Sequence, residues 1–171
     1  MASKKVFRAI PELCTGCDMC TLLCSLEKTG RVNPYEARIR VLHSSEDGAC
    51  RPVICRHCKR PPCRDACPEA GAMYLDELTG AVVVNEEKCI GCLVCVDACP
   101  FDAIQISPDG EVLKCDLCAG NPVCVKYCPP RPAHSFPHTA YSKASCLEYV
   151  EPHRVTRKEV ETEDHNGVKS G

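Results

Sequence analysis

Cysteine is the residue type that could perform chemistry in this sequence. It accounts for 18 of the 171 residues, about one in ten, which is far above its ordinary usage. Sixteen of the cysteines form four groups of four, each with two residues between its first and second members and three between its third and fourth. Groups I to IV consist, in chain order, of Cys14, Cys17, Cys20 and Cys24; Cys55, Cys58, Cys63 and Cys67; Cys89, Cys92, Cys95 and Cys99; and Cys115, Cys118, Cys124 and Cys128. Cys50 and Cys146 belong to no group, and we expect them to be inert thiols.

The spacing within a group indicates an iron–sulfur cluster. Group III, followed by Pro100, matches the run C-x2-C-x2-C-x3-C-P of bacterial ferredoxins without a gap. A loop with two residues between cysteines can wrap three thiolates around one face of an iron–sulfur cubane. The third cysteine then begins a short helix, and the fourth faces away and ligates the other cluster of a pair. Groups II and IV lengthen only the gap between the second and third cysteines, to four and five residues.

The residue after the fourth cysteine predicts where each helix ends. Pro68, Pro100 and Pro129 follow groups II, III and IV, and proline ends a helix and starts the next extended segment. Ser25 stands at this position in group I. We therefore expect the helix of group I to continue towards Gly30, a suitable C′ residue.

Zinc and disulfides are the alternative uses of so many cysteines. A structural zinc site takes its four ligands as two separated pairs, whereas each group here packs four cysteines into 11 to 14 residues. The sequence therefore predicts four [4Fe–4S] clusters, with the sixteen grouped cysteines as iron ligands. His57, inside group II, is not expected to be a ligand because cysteine fills every position. Complete ligand sets leave no open iron for a substrate, so we expect a non-catalytic electron-transfer protein.

Charge and hydropathy argue against several other classes. The formal net charge is −2, which gives no reason to expect a nucleic acid or an anionic membrane as partner. No apolar run approaches the ~20 residues that span a bilayer, so no membrane insertion is expected. The N-terminal residues lack the apolar stretch of a signal peptide. A chain rich in thiols then points to the cytoplasm, where cysteines are kept reduced and bind metal.

A basic patch surrounds group II, formed by Arg51, Arg56, Lys59, Arg60 and Arg64. Two interpretations stay open. The patch is either a solvated face that offsets the charge of a cluster, or a surface that raises a cluster potential or docks an acidic partner. It is too small, and too free of aromatic residues, for a nucleic-acid interface.

Short strand-like segments flank the groups. They are predicted at 6–10, 38–42, 73–75, 81–85, 103–106, 112–114 and 147–150. With the short helices they predict an α+β fold with little apolar core, since aromatic residues make up only 5% and tryptophan is absent. The clusters must supply much of the core, so the chain without iron should fold poorly. Residues 130–145 are predicted to be an inserted loop, and the polar tail 151–171 to be disordered or bound to a partner.

The whole pattern resembles a known family. The phrases CTGCDMC, CRHCKRPPC and CDLCAGNPVCVKYCP, over about residues 5–150, are similar to the four-cluster iron–sulfur subunits of molybdenum and tungsten oxidoreductases. That family includes the iron–sulfur subunits of dimethyl sulfoxide reductase and formate dehydrogenase. In its short form the chain is most similar to the small subunit of tungsten aldehyde oxidoreductases.

The resemblance implies two pseudo-symmetric ferredoxin-like halves in one domain over 1–150. Groups I and IV would form one half (about 1–50 and 108–150), and groups II and III the other (about 51–107). Four ligand sets follow from the resemblance: site A is Cys14, Cys17, Cys20 and Cys128; site B is Cys115, Cys118, Cys124 and Cys24; site C is Cys55, Cys58, Cys63 and Cys99; and site D is Cys89, Cys92, Cys95 and Cys67. A rival pairing, of group I with II and III with IV, obeys the same ferredoxin rule and stays open.

The function implied is a relay of single electrons. The resemblance places a large catalytic subunit with a molybdenum or tungsten pterin on one side. A second redox partner, flavin- or NAD-linked, or another copy of this chain would stand on the other. A compact chain of this length is roughly 40 Å across, so four clusters suggest a wire with two ends. Two alternatives stay open: a free polyferredoxin-type carrier, or the electron-transfer subunit of a formate dehydrogenase, hydrogenase or benzoyl-CoA reductase.

Overall fold

A computed structural model of the protein describes residues 5–130 and 145–151. The predicted inserted loop, apart from its end residues Pro130 and Ser145, lies outside the described residues. So does the predicted tail after Glu151. Within the two described ranges, no helix is long and apolar enough to cross a membrane.

In the part of the chain that the structure describes, eight short strands pair into four antiparallel two-stranded sheets. The strands are β1 Val6–Ala9, β2 Arg40–His43, β3 Cys50–Val53, β4 Met73–Leu75, β5 Val82–Val84, β6 Gln105–Ile106, β7 Val112–Leu113 and β8 Leu147–Val150. Three sheets are hairpins of consecutive strands, and the fourth joins β1 to β8, from opposite ends of the described chain. A strand lies within or overlaps each of the seven predicted segments, whereas β3 was not predicted.

The missed strand contains a proline. Pro52 lies opposite Val41 in the pairing of β2 with β3, and a proline within a strand pattern argues against a central strand. In a sheet of two strands, both strands are edges, so a residue without an N–H group is tolerated. This pairing brings Cys50 opposite His43.

Four helices carry the third cysteine of each group as their second residue. They are α1 Met19–Thr29, α2 Pro62–Asp65, α3 Val94–Asp97 and α4 Val123–Lys126. In α2, α3 and α4 a single C-cap residue separates the end of the helix from the fourth cysteine. The proline comes directly after that cysteine, as the spacing predicts. Helix α1 runs on and ends at Gly30, whose φ is +71° and whose N–H group donates to the carbonyl of Leu26. Both expectations for the helices are confirmed.

Ser25 explains why α1 can continue. Its side chain is fully buried, its hydroxyl donates to the carbonyl of Leu22 at 2.8 Å, and it accepts from the N–H group of Asn33 at 3.1 Å. Proline at this position would remove a helix hydrogen bond and clash with the preceding turn. The exchange of proline for serine therefore sets the length of α1 and anchors the loop that follows it.

Two apolar clusters form the core, and cysteines are part of both. The first contains Phe7, Ile39, Ile54, Leu117 and Leu147 together with cysteines of groups I and IV. The second contains Met73, Val82 and Ile104 together with cysteines of groups II and III. Helix α1 packs against α4, and α2 against α3. The fold therefore brings group I next to IV and group II next to III, within a small α+β domain of hairpins and short helices.

Candidate cysteine sites

The four groups share one backbone turn. The residue before the second cysteine is left-handed in each group: Gly16, His57, Gly91 and Leu117, with φ of +67°, +48°, +67° and +59°. Only two of the four are glycine, the residue that adopts this conformation without strain. The backbone therefore keeps the left-handed conformation at this position in every group, at His57 and Leu117 despite that strain.

The fourth cysteines of groups II and III each lie in a recess beside cysteines of the other group. One recess is lined by the four cysteines of site C: Cys55, Cys58, Cys63 and Cys99. A second recess is lined by the four cysteines of site D: Cys67, Cys89, Cys92 and Cys95. Each recess thus collects three cysteines from one group and the helix-borne fourth from the other, because α2 and α3 pack side by side.

Thiols of groups I and IV also lie close to one another. Burial raises the pKa of Cys20 to about 12, and the cysteines near enough to add to this by their charge are Cys128, Cys14 and Cys17. These are the members of site A. Burial also raises the pKa of Cys124, with contributions from Cys115, Cys24 and Cys118 and a smaller one from Cys20. The first three are the other members of site B, and Cys20 belongs to site A.

The donor chemistry fits iron–sulfur clusters. Burial raises the pKa of Cys95 to about 11 and that of Cys115 to about 12. Such thiols stay protonated unless a cation replaces the proton, so binding iron must release protons here. Within residues 5–130 and 145–151, no three Cys, His, Asp or Glu side chains converge as they would around one metal ion. Sets of four sulfurs that line a shared recess suit a larger thiolate-bound group.

A charged network borders site B. The ammonium group of Lys28 lies 2.7 Å and the guanidinium group of Arg38 lies 3.3 Å from the same carboxylate oxygen of Asp116. Burial would raise the pKa of Asp116, but the hydrogen bond from Lys28 and that from the N–H group of Cys118 outweigh it and lower the pKa. The N–H group of Arg38 donates to the sulfur of Cys24 at 3.3 Å. Both cations near this site are therefore partly balanced by a carboxylate.

Site C has a different surrounding. Lys114 is only 4% exposed, and its ammonium group lies 3.4 Å from the sulfur of Cys55 and donates to the carbonyl of Val82. Both ring nitrogens of His57 are buried without a hydrogen-bond partner among the described residues. Burial lowers the pKa of His57 to about 3, so this imidazole is neutral. Lys114 was not among the residues predicted to contribute to a site. The signal was a lysine at the end of an otherwise apolar strand, directly before a ligand cysteine.

The basic patch is mainly a surface feature. Arg51, Lys59, Arg60 and Arg64 are exposed, and Arg64 pairs with Asp65 at 3.2 Å. Arg56 instead lies over the ring of Phe101, with its guanidinium carbon 4.0 Å from the ring centre. Phe101 lines the site C recess, so one member of the patch packs against that site while the others face solvent. Both interpretations of the exposed part stay open.

The two ungrouped cysteines both lie beside Cys14. Cys146 is buried and lies within hydrogen-bond range of the Cys14 side chain, and burial raises the pKa of its thiol. Cys50 is close enough for its charge to act on Cys14, and its sulfur lies 3.6 Å from Nδ1 of His43. Their distance in sequence hid this convergence on site A. That they are inert stays a prediction.

The substitution Gly16→Ala tests how tightly the loop of site A is packed. A Cβ atom there would lie 2.6 Å from the sulfur of Cys50, whereas nothing lies within 4 Å of one at Gly91, which has the same φ of +67° and the same motif position. Left-handed strain should cost both alanine variants about 1–2 kcal/mol. Gly16→Ala should lose a further ~1–3 kcal/mol through overpacking. We expect its cluster absorbance to bleach at a lower temperature than that of Gly91→Ala under anaerobic heating.

A companion variant separates strain from packing. Replacing Cys50 by alanine in the Gly16→Ala background removes the sulfur that the new Cβ meets, so part of the loss should be recovered. Equal bleaching temperatures for Gly16→Ala and Gly91→Ala, with no effect of Cys50→Ala, would show that Cys50 does not constrain this loop.

Comparisons with known proteins point to one class. The sequence profile of the 4Fe-4S dicluster domain matches residues 47–135, and that of the 4Fe-4S binding domain matches residues 11–30. The aliphatic sulfonate oxidoreductase, polyferredoxin-like subunit, of Pyrococcus furiosus is 49% identical over 119 residues, which cover 69% of this chain and 68% of that protein. An iron-sulfur protein of Rhodospirillum rubrum is 31% identical, over 89% of this chain and 94% of that protein.

Two further likenesses are weaker in coverage or in fit. The beta subunit of the NADH-dependent phenylglyoxylate dehydrogenase of Aromatoleum evansii is 36% identical over 70% of this chain, but the alignment covers only 27% of that subunit. A solved chain of the active site complex BamBC of benzoyl coenzyme A reductase aligns with 94% of this chain and 87% of its own length. Its TM-score is 0.46 and its identity 22%, a likeness too loose to carry a functional argument.

Proposed function

This chain belongs to the 4Fe-4S dicluster domain family, and from that premise we propose that it relays single electrons through four [4Fe–4S] clusters. The membership rests on a match to 47–135. The observation that carries the proposal is that three cysteines of one group lie together with the fourth cysteine of the neighbouring group. It gives every grouped cysteine a place in a set of four. A [4Fe–4S] cluster supplies one-electron oxidation and reduction when bound, and the chain supplies the thiolates and their surroundings.

We assign the ligands as sites A, B, C and D. The two recesses support C and D directly, since each is lined by one complete set. The mutual proximity of the thiols around Cys20 and Cys124 supports A and B. The packing of α1 on α4 and of α2 on α3 supports two halves of the domain. The same packing disfavours the rival pairing of group I with II.

The burial of the ligands suggests an order along the molecule. Among the cysteines, only Cys17 of site A and Cys92 of site D are exposed. Cys115 of site B and Cys55 of site C are near neighbours, since the charge of Cys55 contributes to the raised pKa of Cys115 after burial. We therefore propose the order A, B, C, D. The chain would exchange electrons with its partners at the two ends, close to Cys17 and Cys92.

The partners are proposed from the chemistry of the relatives. Two of those relatives are subunits of oxidoreductases: one of an aliphatic sulfonate oxidoreductase and one of an NADH-dependent phenylglyoxylate dehydrogenase. We propose that this chain is likewise a non-catalytic subunit. Its catalytic partner would carry a molybdenum or tungsten pterin, as in aldehyde oxidoreductases. A flavin- or NAD-linked partner, or a second copy of this chain, would meet the other end.

Cluster content and assembly test this function. Protein prepared without oxygen should contain roughly 16 iron and 16 sulfide per chain, four of each per cluster, with broad visible absorption that bleaches on reduction. Expressed with the genes beside its own, it should stay bound to a large subunit in salt. Zinc in proportion to cysteine, without visible absorption, would contradict cluster binding. Full iron content with elution as a free chain would favour the carrier alternative.

A further inference from the structure

Lys114 is a charged side chain in the interior. Among the described residues it is the only charged residue that is buried. It follows β7 and stands directly before Cys115, yet its ammonium group reaches across to site C, 3.4 Å from the sulfur of Cys55. It also donates to the carbonyl of Val82 in β5. A ligand sulfur and a carbonyl are therefore the partners of this cation.

A buried cation requires a negative partner. Removing an ammonium group from water costs several kcal/mol unless an anion compensates it. In the described part of the chain, no carboxylate lies within ion-pair distance of Lys114. The anion that fits is the thiolate set of site C with its iron–sulfur group, which together carry net negative charge.

We propose that Lys114 raises the reduction potential of the cluster held by Cys55, Cys58, Cys63 and Cys99. This inference rests on the proposed function. An added electron makes the cluster more negative, and a positive charge at hydrogen-bond distance from a ligand sulfur stabilises the reduced form more than the oxidised form. Burial keeps water from screening that charge. The cluster of site C, which is interior in the proposed order A, B, C, D, thereby accepts an electron more readily than it would without the lysine.

The corresponding lysine of group III serves as a matched comparison. Lys88 stands directly before Cys89, as Lys114 stands before Cys115, but Lys88 is exposed. Its charge is screened by water, so it should have little effect on the cluster of site D. At site B, Lys28 and Arg38 share the carboxylate of Asp116, which offsets part of their charge. Lys114 differs from all three in being buried without a carboxylate.

An anaerobic redox titration followed by electron paramagnetic resonance tests this role in the intact, cluster-loaded protein. Lys114→Met and Lys114→Gln remove the charge, and Lys114→Arg keeps it. We expect the neutral variants to shift the reduction equilibrium of one cluster at least tenfold towards the oxidised form, about 59 mV for a one-electron couple. Lys114→Arg should have a reduction potential closer to that of the parent protein, and Lys88→Met should leave every cluster potential unchanged. The shifted signal should be the one that Cys58→Ser alters.

The outcomes separate this inference from the proposed function. If the parent protein holds no clusters, the proposed function fails. If every variant holds the parental amount of iron and all potentials coincide, only the role of Lys114 is overturned. If the neutral variants lose iron, the parent protein is labelled with 15N at its lysine side chains and its hyperfine couplings are measured. The reduced cluster of site C should then show coupling to one lysine nitrogen. Absence of that coupling overturns the proposal.

Discussion

Cys67→Ser should damage the cluster of site D and leave that of site C intact. Cys67 lies in sequence with group II, yet it lines the recess that contains Cys89, Cys92 and Cys95. The serine hydroxyl is less acidic than a cysteine thiol, and its oxygen is a harder donor than the thiolate sulfur that iron prefers. We expect a lost or strongly altered cluster at site D, seen as reduced iron content and as a change in one paramagnetic signal.

Three pairing schemes give different results for this one substitution. If groups did not exchange cysteines, the damaged cluster would be the one held by Cys55 and Cys58. If group I paired with II, it would be the one held by Cys14 and Cys17. Cys92→Ser, Cys58→Ser and Cys17→Ser identify the signals of sites D, C and A for comparison. Cys99→Ser is the reciprocal variant and should damage site C. A crystal structure with Cys67 and Cys55 on the same cubane would refute the assignment.

Local spacing was enough to predict the helices. Each third cysteine requires a helix that turns the fourth cysteine away, and the proline after it stops that helix. Group I differs by a single residue, Ser25, and this difference alone predicted that α1 extends to Gly30. These features depend on residues within one short segment, so the sequence contains all the information that they need.

The missed features depend on contacts between distant segments. Pro52 argued against a strand, because the sequence does not show that its partner β2 forms a sheet of only two strands. Cys50 and Cys146 appeared unrelated to each other, whereas the fold places both beside Cys14. Lys114 read as an ordinary polar residue at a strand end. Its burial follows from the fold, which places its ammonium group beside Cys55 and the carbonyl of Val82, and no pattern within group IV reveals this.

The same packing explains why cofactor sites and core coincide. Cysteines of groups I and IV belong to one apolar cluster, and cysteines of groups II and III to the other. Cys115 packs against both apolar clusters, so these two parts of the core meet close to sites B and C. A substitution that displaces a ligand therefore also disturbs packing, and single ligand variants should lose stability as well as iron.

Removal of iron and sulfide should unfold most of this chain. The helices α2, α3 and α4 have four residues each, far below the ~12–15 residues at which an isolated helix becomes marginally stable. Sheets of two strands are also marginal alone in water. Within residues 5–130 and 145–151 few large side chains are fully buried, among them Leu117, Leu147 and Val82. Structural zinc, for comparison, contributes roughly 10–16 kcal/mol to small domains, as much as the ~5–15 kcal/mol by which whole domains are stable.

Chelation under mild oxidation, followed by far-ultraviolet circular dichroism and hydrogen exchange, measures this dependence. We expect loss of most of the ordered signal and of the protection of amides in β1 and β8, whose pairing joins distant parts of the described chain. Helix α1, with 11 residues, should keep at most partial helicity. Reconstitution with iron, sulfide and thiol should restore the signal and so exclude chemical damage. If the iron-free chain kept cross-strand contacts between Phe7 and Tyr149, the apolar clusters alone would hold the fold, and the cysteines would serve only as ligands.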